Sequence, residues 1–269
     1  MSPLVRLAVL GDPLAHTRSP DLHRAGLAAL GLEGESLALP TPAHALGERL
    51  ASLAAQGFVG VNLTMPLKEA ALAHLARVSE DARLSRSVNT VGFSPDWWWG
   101  ETTDGPGLVD LIGGLGRDPS HARAVLLGAG GAARSLALAL AAAGAKDLVV
   151  SARRPDPASW GELRAARWVA WRSDAETEAL AAATLVINAT PLGADEHPVP
   201  VDAIARGALV LDLVYGERVT PWVLHARAAG REAYDGLGLL VFQARRSLAL
   251  WLARPIPLDP LARAVGWPR

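Results

Sequence analysis

The chain has no cysteine, which excludes a disulfide framework, a thiolate metal centre and a cysteine nucleophile. Long apolar runs are missing too. The stretch from Leu7 to Leu10 stops at Gly11-Asp12, too soon for the apolar core of a secretion signal. Nowhere does the sequence offer the ~18 uninterrupted apolar residues that a membrane span needs, so a cytoplasmic protein that does not enter a membrane is expected. Nor is there an excess of one charge. A net charge of -1 without a basic run argues against nucleic acid or an anionic membrane surface as the main partner, though it leaves room for local basic pockets. The seven histidines lack H-E-x-x-H or any similar spacing, so no metal is expected and they read as scattered structural or surface residues. Lysine is nearly absent as well, standing at Lys68 and Lys146 alone. Lys68 therefore invites a catalytic reading beside two plainer ones, a solvated side chain or a partner of Glu69.

What is present is ample chain for a core. With 269 residues, 50% hydrophobic and 20% charged, the composition suits a folded protein of two domains. The stretch that organises it is Ala124-Val125-Leu126-Leu127-Gly128-Ala129-Gly130-Gly131-Ala132-Ala133-Arg134. An apolar run suited to a buried parallel strand meets a G-x-G-x-x-A turn, and Ala132 to Ala143 continues at helical length. Gly128 permits the turn, Gly130 lets the backbone approach a pyrophosphate, and Ala133 lets helix and strand pack closely. Free N–H groups at the helix start would face the anion; the alternative is a tight turn with no ligand. The next strand, Asp147 to Ser151, ends in Ser151-Ala152-Arg153-Arg154. Arginines stand where an NAD-specific fold normally has an acidic residue, which suits a ribose 2′-phosphate and favours NADP, against a solvated basic turn. Strands follow at Leu185–Asn188 and Leu209–Leu213, then a helix from Pro221 to Ala229. Asn188 and Thr190 either satisfy turn amides or lie where nicotinamide and ribose should bind.

Ahead of the glycine turn, strands at Val5–Leu10, Glu35–Leu39 and Phe58–Leu63 alternate with helices, one from Ser19-Pro20 and one over His44–Gln56. This predicts a small α/β domain of parallel character. Ser19 reads as the N-cap and Pro20 as the first helical position. The hydroxyls of Thr17 and Ser19 either cap that helix or donate to a substrate carboxylate. Asn62, Thr64 and Lys68 fall at the carboxyl end of the third strand, where sites gather in open sheets, and Pro66 starts the next helix. Glu80 to Arg83 reads as a short solvated helix, Ser87 to Gly92 as a strand with Asn89 at its start, and Trp97 to Trp99 as hairpin cover. Asp104 reads as the cap of a helix over Leu108–Leu115, and Asp235-Gly236-Leu237-Gly238 as a flexible connection to a last long helix from Leu239.

The chain carries, in one order, His16-Thr17-Arg18-Ser19-Pro20, Asn62-Leu63-Thr64-Met65-Pro66-Leu67-Lys68, Val88-Asn89-Thr90, Thr103-Asp104-Gly105, the glycine turn, Asn188-Ala189-Thr190-Pro191 and Asp235-Gly236-Leu237-Gly238. This ordered set resembles the shikimate dehydrogenases across essentially the whole chain. The resemblance implies an α/β protein of two domains, with a discontinuous substrate domain (1–103 plus 239–269) and a Rossmann-type, doubly wound NADP domain (104–238). The C-terminal helices return to the first domain, and the active site is expected in the cleft between the two. It also implies NADPH-linked reduction of 3-dehydroshikimate to shikimate, a step of aromatic amino-acid and chorismate biosynthesis.

The residue roles follow from the same resemblance. Lys68 and Asp104 match the catalytic pair, Thr17 and Ser19 the carboxylate contacts, Thr64, Asn89, Asp104 and Gln243 the substrate-hydroxyl contacts, and Tyr215 a further one. Gly128, Ala129, Gly130, Gly131, Ala132, Ser151, Arg153, Arg154, Asn188, Thr190, Leu213, Gly236 and Gly238 match the cofactor set, to which Glu80 is added. Thr17 stands where serine is more usual. A monomer or homodimer is compatible with this pattern. Two rivals remain: a quinate/shikimate dehydrogenase with NAD capacity, and a non-catalytic sensor of nucleotide and shikimate-like ligands.

Overall fold

The computed structural model describes residues 4–14, 17–161, 166–192 and 196–269, so His16 and Gly193 of the motifs above lie outside the described residues. The chain divides into two compact units, Met1–Gly107 with Leu240–Trp267, and Leu108–Leu239 with Pro268–Arg269. Both divisions fall inside helices, a few residues from the boundaries expected at 103/104 and 238/239, and the last two residues group with the second unit. Among the described residues no helix is long and apolar enough to cross a membrane.

The first unit opens with β1 (Val5–Gly11), α1 (Ser19–Ala29), β2 (Gly34–Pro40), α2 (Leu46–Ala55) and β3 (Gly60–Leu63). It continues through α3 (Leu67–Ala70), β4 (Arg77–Val78), α4 (Glu80–Ser85), β5 (Thr90–Phe93) and β6 (Trp98–Glu101) to the head of α5 (Asp104–Gly114). Leu46, Leu50 and Leu53 recur at helical spacing on α2 and are all buried, packed with Leu10, Val61 and Leu67. Each such side chain contributes about 1.5–3 kcal/mol by leaving water.

The strand order is β2-β1-β3-β5-β6-β4. Only part of this sheet has the parallel character expected. β1 pairs in parallel with β2 and β3, whereas β3–β5 and β5–β6 are antiparallel. For β5–β6 the physical reason is connection length: Ser94 to Trp97 is room for a hairpin, closed by the Ser94 N–H on the Trp97 carbonyl, and far short of the crossover that a parallel pair requires. Ser19 is also corrected. The N–H groups of Asp21 and Leu22 both donate to the carbonyl of Arg18, which makes Arg18 the N-cap and Ser19 the first helical residue, with no side-chain cap. Pro66, expected to open the next helix, occupies the N-cap of α3.

The second unit runs from within α5 through β7 (Arg123–Leu127), α6 (Gly131–Ala142), β8 (Asp147–Ala152), β9 (Arg167–Ala170), α7 (Asp174–Ala182), β10 (Leu185–Asn188), β11 (Leu209–Asp212), α8 (Pro221–Ala228) and β12 (Glu232–Tyr234). Its order is β12-β11-β10-β7-β8-β9, and every neighbouring pair is parallel. Such a sheet is covered on both faces, so its strands read as unbroken apolar runs. Val125, Leu127, Val149, Val186 and Val210 share one core with Trp222 and Val223 of α8. Strand order turns back between β7 and β10, the place where doubly wound sheets bind ligands.

α9 (Leu237–Leu252) and α10 (Leu258–Val265) close the chain. α9 begins two residues before the expected Leu239, and Asp235–Gly238 is not a free connection. Asp235 is buried, accepts the Leu237 N–H at 3.2 Å, and is held by Arg269 Nη2 and Nε at 2.7 and 2.9 Å.

Candidate active site

In the first unit the strand and helix ends converge on a polar cluster. β3 runs into a turn in which Leu67 N–H donates to the Thr64 carbonyl, and this starts α3 and places Lys68 in its only full turn. β6 runs into α5, whose first residue is Asp104; the positive end of the helix dipole favours a carboxylate there. Lys68 Nζ donates to Asp104 Oδ2 at 2.6 Å, with the side chains 21% and 9% exposed. The ammonium therefore has a fixed partner on one side and access to the outside on the other.

Asn89, just ahead of β5, holds the other carboxylate oxygen: its Nδ2 donates to Asp104 Oδ1 at 2.9 Å and reaches Gln243 Oε1 of α9 at 3.1 Å. The direction of this amide is set by the Thr103 backbone N–H, which donates to Asn89 Oδ1 at 2.7 Å. Lys68, Asp104, Asn89 and Gln243 are thus brought into one hydrogen-bonded group. Thr17, Ser19 and Thr64 are described apart from it. Thr17 Oγ1 accepts the Ser19 N–H at 3.4 Å, and Thr64 leans over Gly11, where an added Cβ would collide with the threonine methyl. A bare glycine at the end of β1 is what admits it.

In the second unit the proposed cofactor residues lie along the carboxyl ends of the parallel strands. Gly128 follows β7 with φ +103°, a conformation that strains other residues, and a Cβ there would press on Thr190 Cγ2 at 3.0 Å. Its N–H donates to the Ser151 carbonyl at 2.8 Å. Gly130 is exposed and is the N-cap of α6, with no side chain capping the first turn, and a Cβ on it would stand in open space. Gly131 and Ala132 form the first turn, and Ala129 lends its carbonyl to Trp160 Nε1 at 3.3 Å. Trp160 is a support for the loop that the sequence reading did not identify.

Arg153 and Arg154 are exposed beyond β8. Ser151 is turned inward, its hydroxyl donating to buried Glu176. Asn188 accepts from the Thr190 N–H and hydroxyl at 3.0 and 2.6 Å and donates to Asp212 Oδ1 at 2.8 Å. Burial pushes the Asp212 carboxyl above the usual carboxylate range, against the lowering effect of hydrogen bonds from Thr220, Val214 and Asn188. Leu213, Tyr215 and Gly236 are close neighbours: a Cβ on Gly236 would collide with the Leu213 carbonyl oxygen and meet Tyr215 Cδ1 at 3.2 Å. Gly238 is buried in the first turn of α9. Glu80 stands apart from this row, exposed at the head of α4 in the first unit with Arg83 at 3.9 Å.

Residues 9–91 match the model of the shikimate dehydrogenase substrate binding domain. A shikimate dehydrogenase (NADP(+)) of Acidiphilium cryptum is 40% identical over 97% of this chain and 96% of its own length. The chain belongs to the shikimate dehydrogenase family. The shikimate 5-dehydrogenase of Thermus thermophilus, solved with NADP(H) and shikimate, superposes with a TM-score of 0.89 at 36% identity, over 98% of this chain and 99% of that one. A 5-ketofructose reductase of Gluconobacter, at 28% identity, reaches a TM-score of 0.86 over 99% of each chain. Since one architecture serves both of those proteins, the substrate has to be argued from side chains rather than from the backbone.

Proposed function

We propose that the chain is an NADP-dependent shikimate dehydrogenase, reducing 3-dehydroshikimate to shikimate and running in reverse when shikimate and NADP+ are supplied. The observation that carries this reading is the Lys68–Asp104 pair, held from behind by Asn89 and Gln243. Reduction of a ring ketone builds negative charge on its oxygen, which then needs a proton. An ammonium at that oxygen answers both needs. Asp104 orients Lys68 and holds its charge. Asn89 and Gln243 present amide donors and acceptors to ring hydroxyls, as does the Thr64 hydroxyl, while Thr17 and Ser19 hydroxyls donate to the substrate carboxylate. Tyr215 is a further substrate contact in this reading.

The dinucleotide supplies the hydride. The second unit suits it: the uncapped first turn of α6 offers backbone N–H groups, and the space beside Gly130 is open where a side chain would fill it. Gly128, Ala129, Gly130, Gly131 and Ala132 would hold the pyrophosphate and Arg153 and Arg154 the 2′-phosphate, whereas the Ser151 hydroxyl is committed to Glu176 and supports the end of β8 instead. Asn188, Thr190, Leu213, Gly236 and Gly238 would border the nicotinamide half, and Glu80 is the least supported member of the set. The enzyme is read as cytoplasmic, and as a monomer or homodimer.

The deciding experiment is growth of the near-ultraviolet absorbance of NADPH when purified chain is given shikimate and NADP+. No turnover there sinks the reading and favours a sensor. Faster turnover of quinate with NAD+ would replace it by the broader quinate/shikimate activity. Arg153→Ala should raise the KM for NADP+ by ~10-fold while changing the KM for NAD+ little, because one charge-assisted phosphate contact is lost. Equal losses for the two cofactors would remove Arg153 from the phosphate site.

A further inference from the structure

Behind the Lys68–Asp104 pair the hydrogen bonds continue to a histidine that the reaction does not use. His23 is buried on α1, its Nδ1 2.8 Å from Ser36 Oγ on β2 and its Nε2 2.8 Å from Asn62 Oδ1 on β3. The direction of each bond can be worked out. The backbone carbonyl of Asn89 can only accept, so Asn62 Nδ2, 2.9 Å away, donates to it, and the same nitrogen reaches Ser247 Oγ at 3.0 Å and Thr90 Oγ1 at 3.2 Å. Asn62 Oδ1 is thereby turned to His23 and has no proton to give. His23 must donate from Nε2, and the neutral ring then accepts at Nδ1 from the Ser36 hydroxyl. At the far end Ser247 Oγ donates to the Gln243 carbonyl at 3.1 Å. One buried chain of polar groups thus joins α1 to the backbone carbonyls of Asn89 and Gln243; the Thr90 hydroxyl, 3.2 Å from Asn89 Oδ1, and the Thr103 hydroxyl, 3.2 Å from Ser247 Oγ and 3.4 Å from Gln243 Oε1, extend it to their side-chain amides. Burial, opposed by the Asn62 bond and assisted by the Arg24 charge, lowers the His23 pKa to about 4 and holds the imidazole neutral.

The geometry points to His23, as its Nε2–H tautomer, being a positioning residue for the substrate: through Asn62 and Ser247 it sets Asn89 and Gln243. This rests on the shikimate dehydrogenase reading. A buried network has to be satisfied throughout. Without a donor at Nε2, Asn62 Oδ1 is left unpaired, and the amide turns to find a partner, releasing the Asn89 backbone and Ser247.

The test uses the full chain carrying His23→Gln or His23→Asn, since a glutamine amide N–H falls near Nε2 and an asparagine N–H near Nδ1. His23→Asn should raise the KM for shikimate by ~10-fold, and His23→Gln should keep it within ~3-fold of the parent, with the KM for NADP+ unchanged in both. A merely structural role would lower kcat with the folded fraction and leave both KM values alone. Equal KM values for shikimate in the two variants overturn the inference. Ring-nitrogen NMR of the parent protein decides it even where the variants do not fold: His23 should be a neutral Nε2–H ring at pH 7, and an Nδ1–H ring or an imidazolium overturns it. If the parent turns over no shikimate, the functional reading falls, and the spectrum still answers for the tautomer.

Discussion

Alanine at Lys68 should lower kcat for shikimate oxidation by ~10²-fold or more and change the KM for shikimate only modestly. The reasoning starts from what the ammonium does at each stage. In the ground state the substrate is held by its carboxylate and hydroxyls, which Thr17, Ser19, Thr64, Asn89 and Gln243 are proposed to meet, so most of the binding survives the loss of one amine. In the transition state charge is changing on the reacting oxygen and a proton is in transit, and the nearest group that answers to both is gone. Asp104 cannot take over. It keeps its bond from Asn89 Nδ2 at 2.9 Å, but it is an anion beside a developing anion. Lys68→Arg should rescue little: a guanidinium stays charged but does not give up its proton, and a planar fork does not fit where one nitrogen sits 2.6 Å from Asp104 Oδ2. Steady-state kinetics, with NADPH binding by fluorescence as the control for folding, read this directly. Near-normal turnover by the alanine variant would take Lys68 out of the mechanism.

What could be read from the sequence was local. The glycine turn, the strands flanking it and the Ser19-Pro20 helix start depend on residues within a few positions of each other, and their placements hold to within a residue or two. The features that escaped depend on distant partners. Asp235 looked like part of a loose linker because the arginine that grips it is 34 residues away. His23 looked like one of several scattered histidines because its two partners, 13 and 39 residues on, come from different strands. The antiparallel pairing of β5 with β6 was legible in the hairpin turn at Ser94-Pro95-Asp96, but that of β3 with β5 was hidden, because alternating strands and helices before it suggested that the parallel pattern continued. The pairing of Lys68 with Asp104 was legible only through the ordered motifs, and their meeting with Gln243, 154 residues from Asn89, has no local signature at all.

His23 also makes stability depend on pH, in a direction that can be worked out. In the unfolded chain the imidazole titrates near its ordinary 6.5, while in the folded protein burial lowers its pKa to about 4. Between those values the unfolded state binds a proton that the folded state refuses, so acid draws the equilibrium towards unfolding. The contribution is whole above the unfolded pKa and is lost as pH falls through the window between 6.5 and about 4. Full titration corresponds to about 3 kcal/mol, and the portion between pH 7 and pH 5 to about 2 kcal/mol. The other ionisable groups contribute to the pH dependence as well; Asp212, raised by burial, works the other way by accepting its proton more readily when folded. The comparison with His23→Gln removes them, because they are common to both proteins. Urea unfolding at pH 7 and pH 5 should therefore show the parent losing about 2 kcal/mol more than the glutamine variant over that interval. Parallel losses would mean that His23 carries its proton in the folded protein, and the tautomer argued for above would fall with it.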